Sequence, residues 1–123
     1  KNFIWPEFDC PTQTGSGEKF MCRKFVKKLD RIREACGFPL IVSSGYRSPE
    51  YNAQISRTGL NGPHTTGKAC DIAVYGQKAH ELIRCANAEG IMGIGVNQKG
   101  EYSSRFIHLD MLESGNRPWV WTY

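Results

Sequence analysis

Residues 62–71 have the sequence GPHTTGKACD, in which a turn containing glycine and proline leads into residues that favour a strand. We expect this strand to cover residues 69–74. Successive side chains of a strand point to opposite faces of the sheet, so Ala69 and Asp71 would share one face. Cys70 would then point the other way, and we interpret it as a core residue.

The flanking residues predict two helices. Between residues 20 and 36, apolar side chains recur at steps of three and four with lysine and arginine between them, which is typical of an amphipathic helix. Gly37 is placed to end this helix. A second pattern of the same kind covers residues 77–89, and Gly90 is placed to stop it.

Short segments rich in β-branched, aromatic or other apolar residues predict strands at residues 40–42, 69–74, 106–111 and 119–123. The polar residues 43–45 would form a turn after the first strand. Helices and strands mix without a regular βαβ alternation, which favours an α+β fold with a small, largely antiparallel sheet and two main helices. Before these elements lies a turn-rich arm, which Phe3, Trp5 and Phe8 would anchor to the core.

Length and composition indicate a single soluble domain spanning residues 1–123. With 40% apolar and 23% charged residues, the chain has the composition of an ordinary globular protein. No apolar run approaches the ~20 residues that a membrane span needs, and the first ten residues lack the layout of a secretion signal. The net charge of +4 is modest and does not favour a nucleic-acid partner without a binding motif. We expect a monomer.

The five cysteines, an odd number without a CxxC pair, predict free thiols rather than a disulfide framework. Cys22 and Cys36 fall within the first predicted helix, where a rise of 1.5 Å per residue would separate them by about 21 Å. That distance excludes a disulfide between them. The pattern suits folding in a reducing cytoplasm.

Two of the three histidines, His64 and His108, stand in segments that also contain an aspartate. Histidine nitrogen and aspartate oxygen are zinc ligands, and a catalytic zinc takes three protein ligands while keeping a fourth position for water. Two histidines and one aspartate from these segments meet that number. On residue type and spacing alone, His64 could instead cap a turn and His108 could be a satisfied core histidine. His80 lies in the second predicted helix, and we interpret it as structural or solvated.

Three separate blocks of the sequence resemble one family. Residues 64–72 are similar to the HxxGxAxD signature of the zinc D-alanyl-D-alanine carboxypeptidases and related peptidoglycan peptidases, a VanY-like group that shares its fold with hedgehog signalling domains. Residues 44–52 resemble the SGYRxPxxN block of that family, and residues 106–110 resemble its (F/V)(I/V)HxD strand. Residues 7–9 and 119–123 also resemble compact phage and prophage members, so the likeness extends along the chain.

The resemblance implies roles for particular residues. The family's zinc-ligand positions are taken by His64, Asp71 and His108, and a water would complete the site. Arg47 would hold a substrate carboxylate or polarise the scissile carbonyl, and its planar guanidinium suits either task. Tyr46 and Asn52 would support the loop that carries Arg47.

The general base that the family usually carries is missing. Several branches supply a glutamate three residues before the last ligand or a histidine two residues before it, and here Arg105 and Phe106 occupy those positions. Asp110 lies two residues after His108 on the same strand face, and we predict that it replaces the base. Its alternative role is to support a ligand histidine. Glu101 is a further candidate base, although a solvated loop carboxylate is its other interpretation.

The resemblance implies a zinc peptidase that hydrolyses a bond in the stem or cross-link peptide of bacterial peptidoglycan. It would act as a D-Ala-D-Ala carboxypeptidase or as a cell-wall endopeptidase, such as a phage endolysin. We expect synthesis in the bacterial cytoplasm and action on the cell wall. The alternative is a zinc-containing module that binds the wall or a protein without turnover, and the missing base is the main support for it.

Overall fold

The computed structural model describes residues 2–123, which form a five-stranded sheet in the order β1-β2-β4-β3-β5. The strands are β1 Ile41–Ser44, β2 Ala69–Ala73, β3 Gly93–Asn97, β4 Phe106–Asp110 and β5 Trp119–Thr122. Neighbouring strands pair antiparallel except β3 and β5, which run parallel. The predicted α+β fold with a largely antiparallel sheet is confirmed.

Within residues 2–123 the α-helices are α1 Ser16–Phe20, α2 Arg23–Cys36, α3 Pro49–Ile55 and α4 Gly76–Ala88. The two predicted helices correspond to α2 and α4. The predicted start of α2 at residue 20 is wrong, because Cys22 has an extended backbone and separates α2 from the short helix α1. Gly37 ends α2 in the left-handed conformation, with φ of 76°, as its position predicts.

Helix α1, helix α3 and strand β3 were not predicted. Helix α3 begins at Pro49, and the Ser48 side chain caps it by accepting a hydrogen bond of 3.1 Å from the Tyr51 backbone N–H. Strand β3 has the sequence GIGVN, in which two glycines weaken the strand pattern. The turn predicted at residues 43–45 is also wrong in part, because Ser43 and Ser44 belong to β1.

The sheet has an apolar face that packs against α2 and α4. Strands β2 and β4 contribute Cys70, Ile72, Ile107 and Leu109 to the core, and the helices contribute Phe25, Leu29, Ile32 and Leu82. All of these side chains are almost completely buried. Strand alternation therefore leaves Asp71, His108 and Asp110 on the opposite face, as the predicted core position of Cys70 requires.

One row of residues crosses the opposite face of all five strands. The pairing register places Ser44, Asp71, His108, Gly95 and Trp121 side by side. A Cβ atom on Gly95 would lie 2.7 Å from the nearest Trp121 indole atoms. The bare glycine therefore lets the indole lie across β3 and approach His108, with 5.1 Å between the ring centroids.

The N-terminal arm is attached to the sheet as predicted. Phe8 is completely buried, and Phe3 and Trp5 are partly buried against the core. The backbone N–H of Tyr46 donates to the Phe8 carbonyl at 2.8 Å. Gly45 permits this close approach, because a Cβ there would lie 2.5 Å from the Phe8 Cα. The arm thus fixes the loop that follows β1.

The predicted free thiols agree with the structure. Its five cysteines are all free thiols, and Cys70 is buried in the core. Within residues 2–123 no helix combines the length and the apolar character that crossing a membrane requires.

We predict that Gly95→Ala lowers the free energy of unfolding by about 1–3 kcal/mol, the usual cost of overpacking. The added methyl would have to displace the Trp121 indole or bend β5. Urea unfolding followed by circular dichroism measures the change. Gly115→Ala is the matched control, since nothing lies within 4 Å of a Cβ at that position, and its effect should stay within about 0.5 kcal/mol. Equal stabilities for the two variants would contradict the packing described for Trp121.

Candidate metal centre

Three elements bring His64, Asp71 and His108 together. His64 lies in a 3-10 helix of residues Pro63–Thr66, Asp71 is the middle residue of β2, and His108 is opposite Asp71 on β4. Gly67 ends the 3-10 helix with a φ of 75°, and a Cβ there would collide with the Phe20 backbone. This glycine therefore turns the chain into β2 so that His64 returns over Asp71.

The ligand atoms of the three residues converge. His64 Nε2 lies 3.3 Å from Asp71 Oδ1, and His108 Nδ1 lies 3.1 Å from the same oxygen. All three residues are buried, with exposures of 4%, 6% and 2% in chain order. One ligand atom from each lies within 4.8 Å of the others. Nitrogen and oxygen donors are thus gathered around one point.

Outer hydrogen bonds set which ring nitrogen of each histidine faces that point. His64 Nδ1 lies 2.8 Å from the Gly45 carbonyl, to which it can only donate, so Nε2 carries the lone pair towards Asp71. His108 Nε2 lies 2.7 Å from Asp110 Oδ2, and a proton on this nitrogen leaves the Nδ1 lone pair facing Asp71. Such hydrogen bonds fix the tautomer and orientation of metal-ligating histidines.

The two distances to Asp71 fit tetrahedral coordination of a metal ion. Bonds of 2.0–2.1 Å in tetrahedral arrangement require ligand atoms about 3.3 Å apart, which matches the two distances to Asp71 Oδ1. Among residues 2–123, no other group of three histidine, cysteine or acidic side chains is gathered in this way. The donor set and its spacing therefore identify a candidate metal centre with three protein ligands.

Asp71 is held in the ionised form that a metal ligand needs. Burial by itself would raise the pKa of its carboxyl group. In the absence of a metal ion, the interactions of Asp71 with His108 and His64 outweigh burial, and the pKa of Asp71 lies well below its usual range. The carboxylate is therefore available as an acceptor throughout the ordinary pH range.

Asp110 lies on the far side of His108 from Asp71. It is completely buried, and its Oδ2 accepts from His108 Nε2 at 2.7 Å. Arg117 donates to both oxygens at 2.9 Å through Nε and Nη2, and the Leu112 backbone N–H lies 3.3 Å from Oδ1. Burial raises the pKa of Asp110, but His108 and Arg117 outweigh it and bring the value to about 2. Its contacts therefore favour the predicted support of His108, while the role of general base stays a prediction.

Arg47 is directed at the centre by three contacts. Its Nε donates to Ser44 Oγ at 3.0 Å, its Nη1 donates to Asn52 Oδ1 at 3.1 Å, and its Nη2 lies 3.6 Å from Asp71 Oδ2. Asn52 is completely buried, and its amide donates to Thr58 Oγ1 at 2.8 Å. These contacts agree with the predicted role of Asn52 as loop support.

The centre opens on a cleft of about 730 Å³. Part of the lining is aromatic and is formed by Trp119 and Trp121 of β5 and by Tyr123 directly after it. The lining contains Arg47, Arg57 and Arg117, whereas Asp71 is its one carboxylate among the residues that the structure describes. The cleft is therefore cationic and partly aromatic.

The other two residues considered in the sequence, His80 and Glu101, lie outside the cleft. His80 is exposed on α4, which agrees with its interpretation as solvated. Glu101 is exposed in the loop between β3 and β4 and does not line the cleft.

Sequence reasoning missed Arg117 and the aromatic lining of the cleft. Arg117 lies in an irregular segment seven residues after Asp110, and no motif marked it. The alternation of Trp119, Trp121 and Tyr123 was a usable signal, because residues two apart on a strand share one face.

Comparison with known proteins agrees with this site. The model of the family described as peptidase M15 matches residues 1–110, a range that includes Arg47, the three residues of the metal centre and Asp110. Neither the curated proteins nor the solved structures contain a match to the chain. The match covers far more than half of the sequence, and the chain therefore belongs to the peptidase M15 family of metal-dependent peptidases.

Proposed function

We propose that this protein is a zinc peptidase that hydrolyses a peptide bond in bacterial peptidoglycan. The observation that carries the proposal is the convergence of His64 Nε2, Asp71 Oδ1 and His108 Nδ1, where each nitrogen lies 3.1–3.3 Å from the oxygen, beside an open cleft. Two histidines and one aspartate suit zinc, which in a site of this kind acts as a Lewis acid and activates water at neutral pH. Membership of the peptidase M15 family supports the reaction class.

The basic lining of the cleft supports a substrate that carries carboxylates. Arg57 is exposed at the rim, and Arg47 presents its guanidinium beside Asp71. Stem peptides of peptidoglycan carry a free terminal carboxylate, and D-glutamate, which is linked onward through its γ-carboxyl group, carries a second carboxylate at its α-carbon. Both D-Ala-D-Ala carboxypeptidase activity and cell-wall endopeptidase activity, including that of a phage endolysin, are consistent with such a cleft. On this proposal the protein is made in the cytoplasm and acts on the wall as a monomer.

Arg47 binds the substrate in this proposal. Ser44 and Asn52 hold two of its nitrogens, which leaves the guanidinium fixed in orientation at the edge of the metal centre. A planar, fixed donor pair can hold a carboxylate or a carbonyl oxygen with defined geometry. The residue would therefore position the scissile bond rather than transfer a proton.

Asp110 orients His108 in this proposal. Both of its oxygens are occupied by His108 and Arg117, and the carboxylate is completely buried. A carboxylate on the outer nitrogen of a ligand histidine raises the basicity of the ligand and strengthens metal binding. The predicted general-base role remains the competing proposal for this residue.

The second candidate function is a zinc-containing binding module without turnover. It is favoured by the lining of the cleft, where the described residues offer no carboxylate except Asp71. Digestion of purified peptidoglycan followed by mass spectrometry of the muropeptides separates the two functions. Release of a defined peptide or of D-alanine supports the peptidase and identifies the bond, whereas binding to the wall without any released product supports the module.

We predict one zinc ion per chain and its loss in His64→Ala and His108→Ala, because each substitution removes one of three protein ligands. Inductively coupled plasma mass spectrometry of dialysed protein measures the content. His80→Ala is the control, since His80 is exposed on α4 and should leave the content near one. Parental zinc content in both ligand variants would show that the metal is bound elsewhere.

We predict that Arg47→Lys lowers kcat/KM by about 10- to 100-fold, the worth of one charged hydrogen bond. A lysine keeps the charge but cannot reproduce the paired donors of a guanidinium. Steady-state hydrolysis of muropeptides measures the loss, and circular dichroism checks that the fold persists. Arg84→Lys, on the exposed face of α4, is the matched control. Unchanged kinetics in Arg47→Lys would remove Arg47 from the site.

We predict that Asp110→Asn weakens zinc affinity by about 10- to 100-fold, because an amide has one oxygen for the donors of His108 and Arg117. Competition with a chelator measures the affinity, and hydrolysis should recover when zinc is added in excess. Glu113→Gln, an exposed acid beyond β4, is the control. A rate that stays about 10²-fold low at saturating zinc, with parental affinity, would instead support the general-base role.

A further inference from the structure

Tyr123 lies at the cleft that contains the metal centre. Tyr123 directly follows β5 and lines this cleft together with His64, Asp71 and His108. Its ring packs against Phe106 with 5.1 Å between the centroids. Phe106 is two residues before His108 on the same face of β4, so the tyrosine ring lies over the strand that carries a metal-centre residue.

Trp121 orients the Tyr123 hydroxyl. The Trp121 ring packs against His108 with 5.1 Å between the centroids. Its indole N–H faces the Tyr123 phenol closely enough to lower the pKa of that group. An indole N–H has no acceptor capacity, so it can occupy only a lone pair of the phenol oxygen. The Tyr123 O–H therefore remains available to donate to an acceptor in the cleft.

The surroundings keep this group a donor. Burial of the phenol raises the pKa of Tyr123 above its usual value, and the nearby carboxylates of Asp71 and Asp110 raise it further against the opposing effects of Trp121 and Arg47. Tyr123 is 51% exposed, so a substrate in the cleft can reach it. A neutral phenol at this place can donate a hydrogen bond but cannot accept a proton from water.

The two edges of the sheet supply complementary groups. Arg47 follows β1 at one edge, Tyr123 follows β5 at the other, and Asp71 and His108 lie on the strands between them. A peptide bound across this row would have a donor on each side of the metal centre. Donors placed where charge develops are among the largest contributions to hydrolysis of acyl groups.

We propose that Tyr123 is a catalytic residue, whose O–H donates a hydrogen bond to the oxygen of the scissile carbonyl as negative charge develops on it. This role rests on the proposed peptidase function. Trp121 is the positioning residue for the hydroxyl, and Phe106 supports the ring from below.

Tyr123→Phe removes the hydroxyl and keeps the ring that packs on Phe106. Hydrolysis of muropeptides by this variant should show kcat lowered by about 10²-fold with KM nearly unchanged, the pattern for loss of one oxyanion donor. Zinc content and the midpoint of urea unfolding should equal those of the parent. The matched control is Tyr102→Phe, which removes an exposed hydroxyl outside the cleft and should leave kcat unchanged.

A binding measurement gives a readout that does not depend on turnover. Phosphinate analogues of D-alanyl-D-alanine and of L-alanyl-D-glutamate carry a tetrahedral, charged group in place of the scissile carbonyl. Isothermal titration of the zinc-loaded proteins should give a dissociation constant about 10²-fold weaker for Tyr123→Phe than for the parent with the analogue that the parent prefers.

The outcomes distinguish this role from the peptidase function itself. The role of Tyr123 is overturned if the parent and Tyr123→Phe have equal kcat, or if they bind the preferred phosphinate with equal affinity. Either result counts even when the parent hydrolyses peptidoglycan. A raised KM with parental kcat also overturns it, because the hydroxyl would then bind the substrate and the charged oxygen equally well. The peptidase function fails separately, when the parent releases no product from peptidoglycan.

Discussion

The pairing of Asp71 with His108 across β2 and β4 is the constraint on which the rest of the structure depends. The same register that places these two residues side by side sends Cys70, Ile72 and Leu109 into the core. Because side chains alternate with a period of two, a slip of one residue would exchange the two sets and bury the charged residues among α2 and α4. The same strand register is therefore required for packing of the core and for assembly of the metal centre.

The centre is also held from outside the sheet. His64 is oriented by the Gly45 carbonyl, and the loop that supplies this carbonyl is fixed by the close approach of the N-terminal arm at Phe8. His108 is oriented by Asp110, which Arg117 holds from the segment before β5. Segments far apart in the sequence thus meet at the two histidines, each through a hydrogen bond to the ring nitrogen that faces away from the centre.

The sequence predicted what local patterns encode. Periodic apolar residues located α2 and α4, and the resemblance of three blocks located His64, Asp71 and His108, which the structure brings together. Strand β3 was not predicted because its two glycines weaken the strand pattern. The reason for these glycines lies on other strands, since Gly93 makes room for the Asp110 carboxylate and Gly95 makes room for the Trp121 indole. Arg117 escaped because its role arises from a contact with Asp110 that single-sequence patterns do not show. Tyr123 lay within a predicted strand, and only its alternation with Trp119 and Trp121 could have placed it on the face of the cleft.

The glycines of β3 also determine which parts of the cleft can diversify. At Gly93 and Gly95 the strand gives no side chain to the face that carries the metal centre, and neighbouring strands fill the space. At these two positions beside His108, a larger residue would collide with Asp110 or Trp121. Arg57, Asn116 and Trp119 lie at the cleft with exposed side chains. Substitutions that alter the shape of the cleft would therefore be tolerated better at Arg57, Asn116 and Trp119 than at Gly93 and Gly95.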